Sequence, residues 1–216
     1  MVTQQLVLKS NDLFYLGESV SDGMRDRAAG LYARDTRFLN QIRLSLGGVR
    51  PETLSTTVHH ASAATITSAN NAMALSDGRL LHPHLVAVEQ RITVDTSLHI
   101  AIALQNFSQE VISLDLQLLF DADFHDVFEI RGFKRESTGA MLEPRLSEGA
   151  IHFRYRASDN RAMGTVISFD RQPQIQLQHR TESAAEALVS LLPGSDEVHW
   201  ESAPDHLAGV LASFPL

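Results

Sequence analysis

From Val86 to Phe120 apolar and polar residues alternate with a period of two, and this feature constrains the fold more than any other in the chain. Leu98, Ile100, Ile102 and Leu104 fall on one side of an extended backbone, with His99, Ala101, Ala103 and Gln105 on the other. Successive side chains of a strand point to opposite faces, so the pattern predicts a strand with one face buried and one wet. Beyond a polar break at Ser108, Gln109 and Glu110, the residues Ile112, Leu114, Leu116, Leu118 and Phe120 alternate with Ser113, Asp115 and Gln117. The two runs read as an antiparallel hairpin. Upstream, Val86, Val88, Ile92 and Val94 alternate with Ala87, Glu89, Arg91 and Thr93, and Asp95-Thr96-Ser97 forms a turn into the run at Leu98, which extends the hairpin to a meander.

The same period returns at Ile151, Phe153 and Tyr155, bounded by Ser147-Glu148-Gly149 and Ser158-Asp159-Asn160. Further strands are expected at 4–9, 13–16, 41–46, 164–169, 174–179 (with Ile175 and Leu177 inward) and 198–201. Helical signals are confined to a turn near Arg34–Asn40 and to 183–192, where Ala184, Ala185, Ala187 and Leu188 suit a helix but strand is preferred. Antiparallel strands at regular spacing with polar turns predict an all-β fold, a large antiparallel two-sheet sandwich of about a dozen strands with little helix. Nothing divides residues 1–203, which read as one domain, and residues 204–216, with Pro204 and Pro215, read as a tail or linker.

Composition excludes several classes of function. The net charge of −8 is spread without any Lys/Arg block, so the attraction to phosphate that nucleic-acid binding relies on is missing. Cysteine is absent, which removes disulfides and thiolate metal sites and suits a cytoplasmic protein. The start of the chain carries no signal-peptide pattern, and no apolar run reaches the roughly 18 residues of a membrane span.

Two segments break the alternation and set charge beside aromatics: Gly30–Asn40 (GLYARDTRFLN) and Phe120–Gly132 (FDADFHDVFEIRG). The second places Asp121, Asp123, Asp126 and Glu129 directly after a buried strand, where each charge needs a partner, and Arg34, Arg37 and Arg131 are the natural ones. One reading is a salt-bridge network that closes the end of the sandwich. Another is a polar, aromatic-edged surface that binds sugar hydroxyls or a partner domain. Paired carboxylates could instead run glycoside hydrolysis, one as acid and one as nucleophile or base. Oxygen ligation of Ca²⁺ or Mg²⁺ by Asp121, Asp123 and Asp126 lacks the glycine and the terminal glutamate of an EF-hand loop, so no metal is expected. The pairs His59-His60 and His82-Pro83-His84 lack the spacing of a zinc helix and read as surface residues. Nucleophile-elbow, phosphate-loop and dinucleotide fingerprints are missing, and no cofactor is expected.

The stretch GLYARDTRFLNQIRLSLGGVRPETLS, Gly30 to Ser55, resembles the GLY-x-RDTRFLS pattern of the N-terminal domain of bacterial glycogen-debranching and amylo-α-1,6-glucosidase-like proteins. LLFDADFHDVFEIRG, Leu118 to Gly132, resembles that family's DADF-x-D-x-FEVRG segment. The resemblance runs from Leu6 into the 170s and matches signature positions at Arg34, Asp35, Arg37, Asp123, Asp126, Glu129 and Arg131. Ala33, Asn40, His125 and Ile130 fall where the family pattern varies. The resemblance implies a β-sandwich that precedes an (α/α)-barrel, with the catalytic carboxylates on the barrel and none here. It implies a non-catalytic accessory module of an α-glucan debranching glycosidase, with the seven signature residues at a substrate or domain interface. The implied partners are the barrel, in cis or as a separate chain, and an α-glucan oligosaccharide. The rivals are a stand-alone hydrolase built on Asp121, Asp123, Asp126 and Glu129, and a structural module whose uncovered apolar patch drives homo-oligomer formation.

Overall fold

A computed structural model describes residues 5–17, 28–134, 139–170, 174–181, 184–191 and 207–213. The chain is all-β, and every strand pairing is antiparallel. The first strands are β1 (Val7–Ser10), β2 (Leu13–Leu16), β3 (Gly30–Ala33), β4 (Thr36–Leu39), β5 (Gln41–Leu46), β6 (Glu52–His60), β7 (Ala63–Ala69), β8 (Met73–Ala74) and β9 (Leu80–Leu81). They are followed by β10 (Val86–Val94), β11 (Leu98–Asn106), β12 (Leu116–Ala122), one helical turn α1 (Val127–Ile130), β13 (Ala140–Ser147), β14 (Ala150–Arg156) and β15 (Ala162–Phe169). The last are β16 (Gln174–Thr181), β17 (Ala184–Leu191) and β18 (Leu207–Ser213).

The division into sheets is finer than the expected pair. An eight-stranded sheet runs β13-β14-β15-β18-β11-β10-β7-β6, one four-stranded sheet runs β1-β2-β3-β4, a second runs β16-β17-β12-β5, and β8 and β9 form a short ribbon. Their inner faces share one apolar core, consistent with a sandwich. Leu8, Leu31 and Leu39 come from the first small sheet, Leu46, Leu118 and Phe120 from the second, and Ile92, Ile102, Phe153 and Ile167 from the large one.

Local predictions hold well. β2 and β5 have the expected bounds, 184–191 is strand, and Ile151, Phe153 and Tyr155 are buried in β14. Glu148 and Gly149 both adopt positive φ between Ser147 and Ala150, as a two-residue hairpin turn requires. At 95–97 the Asp95 carboxylate accepts from the Ser97 amide at 2.8 Å, which lowers its pKa, and Val94 pairs with Leu98 across the turn. β1 begins at Val7 instead of Gln4, and Gln4 lies outside the described residues. The strand expected at 198–201 also lies outside them.

The long hairpin is the main correction. β11 pairs with β10 and β18, whereas β12 belongs to another sheet, between β17 and β5. Residues 112–115 are not strand: this stretch carries the chain from one sheet to the other, and Ile112 stays buried in the crossing. The meander therefore ends at β11. Within the stretch expected to be tail or linker, Leu207–Ser213 forms β18 between β15 and β11. Among the described residues no helix is long and apolar enough to cross a membrane.

Gly30 opens β3 with φ of 143°, a backbone that side chains rarely adopt, and a Cβ there would run into the Leu39 carbonyl oxygen and the Arg37 side chain. Gly30→Ala is therefore expected to cost about 3 kcal/mol of folding free energy, measured by urea unfolding of the two proteins.

Candidate functional site

The two charged segments, far apart in sequence, meet at one end of the fold. β3 and β4 form a tight hairpin where a helical turn near Arg34–Asn40 had been expected, with Ala33 paired to Thr36. Arg34 and Asp35 are its two turn residues, at φ of 46° and 64°. Positive φ at both positions defines a turn that favours Asn-Gly; Asp tolerates a left-handed backbone, so Arg34 is the costly residue of the pair. β4 then lies against the segment after β12. The Arg37 amide donates to the His125 carbonyl at 2.8 Å, the Asn40 amide to the Asp121 carbonyl at 2.9 Å, and the Val127 amide to the Asp35 carbonyl at 3.0 Å.

Arg37 and Asp123 form the centre of this junction. Arg37 is 7% and Asp123 5% exposed. Arg37 Nε donates to Asp123 Oδ1 at 3.1 Å and its Nη2 to Oδ2 at 2.5 Å, a bidentate pair that fixes both side chains. Asn40 Nδ2 adds a third donor to Asp123 Oδ2 at 3.1 Å, and Arg37 Nη1 reaches the Ala29 carbonyl at 3.3 Å. Burial alone would lower the pKa of Arg37, but the hydrogen bond and charge of Asp123 outweigh it and raise the value. The next residue, Phe124, has φ of 51°, a strained backbone for a bulky side chain, and is 2% exposed. Its ring is held against Phe38 at 5.5 Å and Tyr155 at 5.4 Å. This reversal lets two successive side chains, Asp123 and Phe124, both face the interior.

The carboxylates that follow have local roles. Asp126 is the N-cap of α1, its side chain accepting from the amides of Phe128 and Glu129 at 2.8 Å each, and the Glu129 carboxylate accepts from the Asp126 amide at 3.0 Å. This reciprocal capping box satisfies amides that a helix start otherwise leaves bare. Asp121 is buried in β12, opposite Gln41 of β5. Among the described residues no group of three or more His, Asp and Glu side chains is placed to hold a metal ion.

Of the seven signature residues, the structure brings Arg37 and Asp123 into contact and couples Asp126 to Glu129. The expectation that all three arginines neutralise the carboxylates is corrected. Arg34 approaches only Asp12, at 3.9 Å with both side chains largely exposed, and Arg131 is exposed with no ion pair among the described residues. The turn at Arg34 and the end of α1 aim both side chains at solvent. Asp35 is exposed as well, and only its backbone carbonyl is engaged. Two contributors were not singled out in the sequence. Asn40 donates to Asp123, and His125 Nδ1 lies 3.3 Å from Asp123 Oδ2 with the ring partly exposed. Both lie at positions where the family pattern varies, so motif matching passes over them. Phe128 and Phe133 are also new: 59% and 66% exposed, they meet edge to face at 6.2 Å, with the exposed Arg131 between them in sequence. His59, His60 and His84 bond to Thr65, Ser62 and Glu52 respectively, on the exposed surface.

A family model described as the N-terminal domain of (some) glycogen debranching enzymes matches residues 8–198. The chain belongs to this family. No curated protein matches it. The match covers both charged segments and extends beyond the 170s, where the resemblance read from the motifs ended. The domain is thus an accessory part of glycogen debranching enzymes, which implies a catalytic partner domain.

Removing one member of a buried ion pair strands the other charge. Asp123→Ala is expected to cost about 3–5 kcal/mol, whereas Asp126→Ala, which loses a helix cap, should cost about 1 kcal/mol. Urea denaturation of both variants checks the order; equal losses would show that Arg37 is not left stranded.

Proposed function

We propose that this domain is the non-catalytic wall of an α-glucan debranching site in a cytoplasmic amylo-α-1,6-glucosidase. It packs on an (α/α)-barrel that carries the catalytic carboxylates, in cis or as a separate chain. The observation that carries this reading is the β3–β4 turn. Arg34 holds a left-handed backbone that Asn would adopt more easily, Asp35 stands where Gly is preferred, and within the described residues their side chains gain only one long, exposed contact. A costly turn with outward charges is understandable when those charges meet something outside the domain. Phe128, Arg131 and Phe133 add exposed groups at α1 and just after it, two aromatic rings in contact and a cation between them in sequence. Aromatic faces with adjoining polar groups suit either the apolar face and hydroxyls of a glucose unit or the surface of a barrel.

The rival hydrolase reading asks four carboxylates for free acid and nucleophile roles. Three of them have other work: Asp123 is bound by Arg37 and Asn40, and Asp126 and Glu129 cap α1. We therefore infer that the reacting carboxylates lie on the partner.

Replacing Arg34 by Asn together with Asp35 by Gly, in a full-length debranching enzyme that carries this domain, separates structure from function. The expected result is a domain more stable by about 1 kcal/mol, since strain is relieved, with debranching of a branched limit dextrin reduced at least tenfold. Unchanged activity would remove the interface role. The 216-residue chain alone should release no glucose from the same dextrin; sustained release abolished by Glu129→Gln would restore the hydrolase.

A further inference from the structure

We propose that β6 is a dimerisation edge, at which a second copy of this chain adds its own β6 antiparallel and joins two eight-stranded sheets across a two-fold axis. β6 terminates the large sheet, with β7 on one side and no strand on the other among the described residues. It is nine residues long and exposed at every one of them. An unpaired edge presents a row of free amides and carbonyls, and proteins ordinarily guard it with proline, lysine, bulges or charge. The opposite edge follows that rule: β13 contains Pro144, adjacent Glu143 and Arg145, and a register break between Leu142 and Arg145. β6 has no proline, no lysine and no arginine, and it displays Leu54 and Val58 at 54% and 53% exposure. It shares with β13 only the bulges, since its register against β7 shifts at Leu54 and at His59, and these flank a regular run, Ser55–Val58, at the centre of the edge.

The occupant is specified by the strand's own sequence, E-T-L-S-T-T-V-H-H. A two-fold axis through Thr56 sets Ser55 opposite Thr57 of the second copy, Leu54 opposite Val58, and Glu52 opposite His60. Each pair recurs on the other side of the axis, as an isologous contact demands. Hydroxyl meets hydroxyl, apolar meets apolar, and a carboxylate meets an imidazole, all of which are favourable cross-strand pairs. Shifting the axis by two residues, to Leu54 or Val58, sets Glu52 against Thr56 or His60 against Thr56 and loses the carboxylate–imidazole pairing. Glu52 lies 3.1 Å from His84 of its own chain, and both side chains remain more than half exposed, so the carboxylate is open to a second imidazole.

Sedimentation equilibrium of the purified chain from micromolar to millimolar concentration tests the proposal and its register. The mass of the unaltered protein should rise from 23.8 kDa toward twice that value. Leu54→Lys with Val58→Lys sets like charges opposite one another and should stay monomeric throughout. Leu54→Lys with Val58→Glu makes the facing charges opposite, and dimerisation should return. The last variant keeps the same lysine at position 54, so its recovery also shows that loss in the first is not misfolding. An unaltered chain that remains monomeric, a double-lysine variant that dimerises normally, or a charge-matched variant that fails to recover would each overturn the proposal.

Discussion

The bidentate contact between Arg37 and Asp123 is the constraint on which the end of the sandwich depends. It joins β4 of one small sheet to the segment after β12 of another, with both side chains almost fully buried. Desolvating two charges is expensive, and the attraction between them roughly offsets that cost only when the geometry is good and further donors complete the shell. Here Asn40 and two nitrogens of Arg37 converge on one carboxylate. A pair of this kind contributes less to net stability than to uniqueness of position. Any other register of β4 would leave a guanidinium or a carboxylate buried alone.

Several neighbouring features follow from that lock. Gly30 is needed because the Arg37 side chain and the Leu39 carbonyl occupy the space a Cβ would take. Phe124 tolerates a left-handed backbone because Asp123 must face inward while the ring stacks on Tyr155 and meets Phe38 edge to face. α1 then starts at a fixed point, since Asp126 bridges to Thr36 and caps the helix with Glu129. The outward residues Arg34, Asp35, Phe128 and Arg131 are thereby held on a rigid base, and a site needs such a base to present charge and rings in a constant arrangement.

The alternating pattern made faces legible but not partners. Leu98, Ile100 and Ile102 are buried as read, and so are Leu116, Leu118 and Phe120, yet the two runs lie in different sheets. A period of two reports which side of a strand meets the core and carries no information about its neighbour. The turn at Arg34-Asp35 was invisible for a related reason: it lacks the Asn-Gly chemistry by which hairpins are recognised. The capping box was readable in principle, since Asp126 stands three residues before Glu129 ahead of an apolar pair. For the charged cluster, sequence proximity of opposite charges led to one expected network, whereas burial sorts Arg37 from Arg34 and Arg131. That sorting depends on contacts 86 residues apart, which no local pattern encodes.

The geometry divides the signature residues into buried or capping ones that build the domain, Arg37, Asp123, Asp126 and Glu129, and exposed ones, Arg34, Asp35 and Arg131. The division rests on the claim that Arg37 and Asp123 act as one unit. A double-mutant cycle with Arg37→Met and Asp123→Leu, followed by urea unfolding, measures this directly. Removal of both should be far less damaging than the sum of the single losses, with a coupling of about 2 kcal/mol or more. Single losses that simply add would contradict the account.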